Sequence, residues 1–324
     1  MKYKRKYSFN KKKKLLIIFH ILFLLIIYKK FINNFNEIKV CLCTVGKLEN
    51  NYIIEFVEHY FKYNVDKIFL YDNNDINGER FETILDKYLK INYIEIINNR
   101  GLKKIQLKSF INCYKRNYNN YDWLIYYDID EFINLKGFSN IKLFLNQNKF
   151  HECESIYLNW ILHTDNNLLY YDNRSLFKRF PEKYINKGFC RGKTILKGRI
   201  KKLLNFQSTH TLDFKIGRCD GFGQKMKALG INCKIPDFNF YYIDHFYSKS
   251  TEEFINKIKK GDCGFGDNIY NIYRRVNFYF GKNKITLEKI NLIKQRLGLN
   301  ISISKNRLIL GKRRTRFIIQ NESI

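Results

Sequence analysis

A chain of 324 residues can bury a substantial core, and its two prolines argue against long extended linkers. The formal charge of +29 would suit nucleic acid, but the lysines are dispersed through a background dominated by Lys, Asn, Ile, Tyr and Phe. That dispersal reads as compositional drift, so no nucleic-acid partner is expected, only a generally positive face toward polyanionic ligands.

From the amino end, residues 2–14 carry Lys2, Lys4, Arg5, Lys6 and Lys11 to Lys14, and 15–28 are then apolar apart from His20. This reads as a basic tail over 1–14 and a membrane segment over 15–32, provided that Lys29 and Lys30 snorkel. No small residues offer a cleavage site, which favours an uncleaved signal anchor over a cleaved signal peptide. A buried soluble helix is the other reading. The heavier positive charge before the run predicts a single-pass type II orientation, in the Golgi or ER lumen if the cell is eukaryotic.

Beyond it, Ile38 to Val45 reads as a strand. Glu49 to Asn64 has the helical spacing Ile53, Val57, Tyr60, Phe61, and Asp66 to Tyr71 is a short buried strand ending in an acidic loop from Asp72. Helices are expected at 81–90 and 105–118, with a strand at 93–97 between them. This alternation implies an α/β domain with a mostly parallel sheet flanked by helices.

The central stretch is Tyr121 to Ile133, an apolar aromatic run read as one buried strand ending in Asp128, Asp130 and Glu131. Ligands gather at the carboxyl ends of strands in such sheets. Two carboxylates two residues apart repel unless a cation joins them. Alone, Asp-x-Asp is a weak signal, and capping of a following helix explains it as well.

Later signals are a strand near 155–158, a loop carrying Trp160, and a basic segment from Lys178 to Lys202. Ser250 to Glu253 forms a capping box before Phe254, Ile255 and Ile258, with Gly261 as a stop. Leu287, Ile290, Ile293 and Leu297 mark a last helix, and 301–324 is a basic tail. Eight cysteines show no zinc-type spacing. Cys41 and Cys43 share one face of a strand, but the sequence discloses neither pairing nor redox state. Asn-x-Ser matches at Asn173, Asn300 and Asn321 are near chance in a chain this rich in asparagine.

The ordered set is more specific than any member. Lys47 and Glu49, Glu55 to Tyr60, Tyr71-Asp72, Gln106, Asn112-Cys113, Trp123, Asp128 to Phe132, Trp160, Arg179-Phe180, Lys193 and His210 lead to His245 to Ser250, Glu253-Phe254, Lys257 and Gly261. In this order they resemble a GT-A (Rossmann-like) glycosyltransferase of the family-2-like and family-92 group, over roughly 38–262. His245-Phe246 departs mildly from the family's His-Tyr pair.

The resemblance implies a GT-A domain over 38–265, a helical and basic extension over 266–324, and Mn²⁺ or Mg²⁺ bridging the diphosphate of a UDP-sugar. It places Asp128, Asp130 and His245 on the metal, and Asp128 on metal or ribose. Thr44, Glu49 and Asp72 would line the nucleotide pocket, with Lys193, Arg179 or Arg199 on the diphosphate. Inversion implies an acidic base, for which Asp165 leads Glu182 and Asp262, while Glu131 or Trp160 would meet the acceptor. His210 is as readily structural. The implied partners are a nucleotide sugar and a glycan on protein or lipid, with galactose as the sugar. A metal-dependent hydrolase, or a silent binding protein on the same scaffold, is the rival reading.

Overall fold

The computed structural model describes residues 18–25, 38–185, 191–200, 206, 208–210, 216–226, 238–261, 269–304, 307–310 and 313–318. A short helix over 18–25 (α1) exposes every side chain, and among the described residues no helix is long and apolar enough to cross a membrane. Most of the expected 15–32 segment, the 1–14 tail and Asp262 lie outside the described residues.

Strand β1 (Val40–Gly46) is buried along its whole length and sets the layers. With a side-chain period of two, Val40 and Leu42 pack on one side, against Ile53, Phe56 and Val57 of helix α2 (Asn50–Lys62). Cys41, Cys43 and Val45 pack on the other side, against Phe110, Cys113 and Tyr114 of α4 (Gln106–Asn117). Between these come β2 (Lys67–Asp72), α3 (Glu82–Lys90) and β3 (Ile94–Asn98), and β4 (Trp123–Tyr126) follows α4. All ladders in β3-β2-β1-β4 are parallel, as the alternation predicted.

The second half is mixed. It runs through β5 (Glu131–Leu135), α5 (Ile141–Leu145), β6 (Ser155–His163), α6 (Leu176–Arg179), β7 (Lys183–Tyr184), β8 (Gly192–Lys197), β9 (Arg218–Asp220) and β10 (Tyr241–His245). Helices α7 (Thr251–Lys259), α8 (Ile269–Phe280) and α9 (Leu287–Leu297) then pack together on Phe254, Ile258, Tyr279 and Ile293. A hairpin sheet of β11 (Ile301–Ser304), β12 (Arg307–Leu310) and β13 (Arg313–Ile318) occupies part of the basic tail over 301–324. The large sheet has the order β3-β2-β1-β4-β8-β6-β10-β5, with β7 and β9 alongside β6. The architecture is a mixed α/β fold with a mostly parallel sheet flanked by helices.

Two expectations are corrected. The strand predicted over 121–133 breaks after Tyr126, because Glu131 N–H donates to the Asp128 carbonyl while Asp128 N–H donates to Glu131 Oε2, knitting a turn. The chain then re-enters as β5, four ladder steps away, roughly 19 Å across a flat sheet. Five peptide steps reach at most about 18 Å, so the sheet curls to bring the two strands together. Trp160, expected in a loop, sits inside β6.

Cys43–Cys113 ties β1 to α4, and Cys153–Cys219 ties the approach to β6 to β9. These bridges close separations of 70 and 66 residues, each constraining the unfolded chain by about 4 kcal/mol in the chain-entropy account. Cys41 is a buried free thiol.

Candidate active site

The turn after β4 delivers Asp130, the first residue of β5 is Glu131, and the last residue of β10 is His245, paired in register with Glu131. One donor atom from each lies within 4.8 Å of the others. Asp130 Oδ2 accepts from Lys257 Nζ of α7 at 2.7 Å, and its Oδ1 stands 3.5 Å from His245 Nε2. Glu131 Oε1 and His245 Nδ1 are buried without a hydrogen-bond partner. Trp160 covers His245, with ring centroids 4.4 Å apart, and His210 meets the edge of Trp160.

Burial pushes the Asp130 carboxyl up, but the charges of Lys257 and His245 outweigh it and hold the group well below its usual range. Burial pushes Glu131 well above its usual range, against the opposing charge of Lys193. Burial also lowers His245, favouring the neutral ring that metal ligation requires. Two carboxylate oxygens and an imidazole nitrogen, one oxygen and one nitrogen unmet, fit Mn²⁺ or Mg²⁺ as donor types.

Asp128, expected on the metal, is not in this group. Its Oδ2 accepts from Lys193 Nζ at 2.8 Å and its Oδ1 from Gln106 Nε2 at 2.7 Å. Glu131, expected to meet the acceptor, stands in the group instead, a placement that depends on the turn and on the β5–β10 register. Lys193, expected on the diphosphate, is wholly buried between Asp128 and Glu131. Arg179 is locked to Glu253 at 2.7 Å, and Tyr52 also donates to Glu253. Arg199 pairs with Asp122 beside the amino end of β4, the opposite end from Asp130.

Thr44, in β1, has an unpartnered buried Oγ1. Asp72, at the carboxyl end of β2, uses one oxygen on Arg100 at 2.5 Å and the other on Asn74 N–H. Arg100 in turn donates to carbonyls of Asp75, Gly78 and Glu79, so Asp72 anchors this loop. Glu49 accepts from Lys260, and its Oε2 makes no hydrogen bond. His210 sits near Lys193 and Asp128, its pKa lowered to about 3, first by burial and then by Lys193.

Asp165, expected as the base, has both carboxylate oxygens engaged within the chain. Its Oδ1 caps Asn167 N–H, while Oδ2 accepts from Tyr279 Oη at 2.5 Å and Lys289 Nζ at 2.7 Å. In this arrangement neither oxygen is open to an acceptor hydroxyl. Glu182 is exposed and accepts from Thr164.

The sequence profile of glycosyltransferase family 92 matches residues 36–214, more than half of the chain. The chain belongs to glycosyltransferase family 92. The matched segment holds Thr44, Asp72, Asp128, Asp130, Glu131, Trp160 and Lys193, while His245, Lys249 and Lys257 come from β10 and α7 beyond it. No curated protein matches the chain. Among solved structures, S. aureus TarS 1–349 with UDP is 13% identical, with 81% of this chain and 79% of that one covered and a TM-score of 0.37. The UDP-GlcNAc complex of the same fragment is 12% identical, with 81% and 80% covered and a TM-score of 0.35. TarS at greater length is 11% identical, with a TM-score of 0.33, and this family 92 chain, 81% covered, spans 49% of it.

Proposed function

We propose that this family 92 protein is a metal-dependent, inverting glycosyltransferase that moves a sugar, galactose in the first instance, from a UDP-sugar to a glycan hydroxyl. The observation that carries the reading is the convergence of Asp130, Glu131 and His245, with Glu131 Oε1 and His245 Nδ1 left without hydrogen-bond partners. These three residues would hold Mn²⁺ or Mg²⁺. A bound cation supplies Lewis-acid neutralisation of the charge that builds on a departing diphosphate.

The chain's own groups prepare that place. Lys257 fixes the Asp130 carboxylate, and Lys193 fixes Asp128 while facing Glu131. Trp160 packs against His245, with ring centroids 4.4 Å apart, and closes one side of it. Thr44 Oγ1 and Glu49 Oε2 lie on the β1 side without a hydrogen bond, suited to accept from hydroxyl and N–H groups of a nucleoside.

We place this domain behind a single-pass type II anchor over 15–32, supported by the basic flank, and in an oxidising lumen, supported by the two disulfides. Protease access to the amino-terminal tail from the lumenal side would refute that orientation.

The test of the reaction is UDP release by the detergent-solubilised full chain across a panel of UDP-sugars. Turnover with one donor, lost in EDTA and in Asp130→Ala, is the expected result. Turnover indifferent to both treatments would refute the metal assignment.

A further inference from the structure

Strand β9 carries a guanidinium without a counter-charge among the described residues. Arg218 is 7% exposed, and its Nε and Nη2 are buried without a hydrogen-bond partner. Arg100 and Arg179, also well covered, are by contrast paired with Asp72 and Glu253. The carboxylates beside Arg218 along β6 and β9 are turned to the backbone. Glu154 Oε2 accepts from Gly217 N–H, and Asp220 Oδ1 accepts from Phe222 and Gln224 N–H. Burial pulls the Arg218 pKa below its ordinary range, opposed by the Tyr157 phenol. A guanidinium stays charged at neutral pH all the same, and a buried charge is costly until a partner meets it.

Two further unmet groups share its face of the sheet. Arg218 is the ladder partner of Ser155 in β6, and Thr194 of β8 is the partner of Tyr157, two residues on from Ser155. Ladder partners, and residues two apart along one strand, project to the same face. Ser155 Oγ and Thr194 Oγ1 are buried and have no hydrogen bond either. Leu196, partner of both Ser155 and Leu124, identifies this as the face that packs on α4. None of the three belongs to the group of Asp130, Glu131 and His245.

The identity of the unmet atoms limits what could meet them. Nε and Nη2 lie along one edge of the guanidinium with their N–H bonds parallel, the arrangement that receives two oxygens of a carboxylate or phosphate. Each hydroxyl adds one donor. A neutral apolar group would leave all of them unsatisfied. We propose that Arg218, flanked by Ser155 and Thr194, binds an oxyanion, a carboxylate or a phosphate, at a subsite separate from the metal cluster. A free ion and an acidic sugar both present this chemistry, and the test separates them.

The experiment reads the thermal unfolding midpoint of the detergent-solubilised full chain with inorganic phosphate, glucuronate or glucose, each with and without saturating UDP. A ligand that binds only the folded state raises the midpoint. Phosphate or glucuronate is expected to raise it, glucose to leave it unchanged, and the rise to persist over UDP. Arg218→Met should abolish the rise and, with the unpaired charge removed, unfold no lower than wild type in the absence of anion. Arg218→Lys keeps the charge but loses the two-pronged edge, and should weaken the apparent affinity about tenfold or more. A larger rise with glucuronate than with phosphate identifies an acidic sugar as the ligand, and the reverse identifies phosphate. A wild type that responds to neither anion would overturn the proposal, as would a rise that survives in Arg218→Met or vanishes under UDP. If Arg218→Met does not fold, Arg218→Lys decides, since affinity equal to wild type would overturn the proposal.

Discussion

The sheet has a cavity at each end, and they differ in kind. At the amino ends of β1, β2 and β4 a space of about 1100 Å³ is lined by Lys39, Asp66, Arg116, Asp122 and Arg199 among others. At the carboxyl ends the space is about half as large, 510 Å³. Yet the larger cavity is chemically settled. Asp66 accepts from Val40 N–H and Lys142, Asp122 accepts from Lys39 N–H, and Arg116 donates to Glu95. At the other end Thr44 Oγ1, Glu49 Oε2, Glu131 Oε1 and His245 Nδ1 are buried without a hydrogen bond, and the two carboxylate oxygens only face Lys249 and Lys193 at 3.5 and 3.7 Å. Buried atoms without a hydrogen bond occur elsewhere too, at Tyr93 and Tyr114 for example, but here two of them belong to a carboxylate and an imidazole whose donor atoms gather with Asp130 within 4.8 Å.

This contrast is breakable by mutation, and the largest effect belongs to Asp130. Asp130→Ala is expected to lower turnover about a thousandfold or more, since on the proposed reading it removes one of the three residues that would hold the cation. Steady-state kinetics on the folded variant check this.

Next comes Asp165→Ala, which strands Lys289 as a buried charge without its carboxylate partner. A loss of about 3–5 kcal/mol is expected in denaturant unfolding, with turnover per folded molecule retained. Unchanged stability with lost turnover would restore Asp165 as the base.

Acid should act at β10 by a smaller amount. Burial alone would raise the Asp244 carboxyl, but the hydrogen bond and charge of His163, with Lys183, overturn that and hold it below its usual range. A folded-state pKa below the unfolded value gives stability that is complete above pH about 4 and drains as pH falls through the folded value. His163→Gln should therefore flatten the acid limb of the unfolding midpoint, read in urea between neutral and acidic pH.

The smallest effect is expected at the amino end. Arg199→Ala, which breaks an exposed pair with Asp122, should leave turnover within about twofold and stability within about 0.5 kcal/mol.

The legibility of the molecule divides along the same sheet. The run from β1 to β4 was readable because each element announces itself locally, by period-two burial or by spacings such as Ile53 and Val57. The capping box at Ser250 and the stop at Gly261 were equally local. Asp130 and His245 were found through the resemblance. The place of Glu131 beside them was not, because it depends on where β4 breaks and on the register that sets Glu131 of β5 opposite His245 of β10. Arg179 and Lys193 show why a charge in a sequence says little about its role, since the chain discloses the cation and only the fold discloses its carboxylate.

The account's central claim is that the donor binds at the carboxyl end of the sheet, and hydrogen exchange by mass spectrometry on the full chain with UDP and Mn²⁺ tests it most directly. The account predicts slowed exchange over 47–52, 72–79 and 245–260, with none added over 116–122 or at 199. Protection confined to 116–122 and 199 would contradict it.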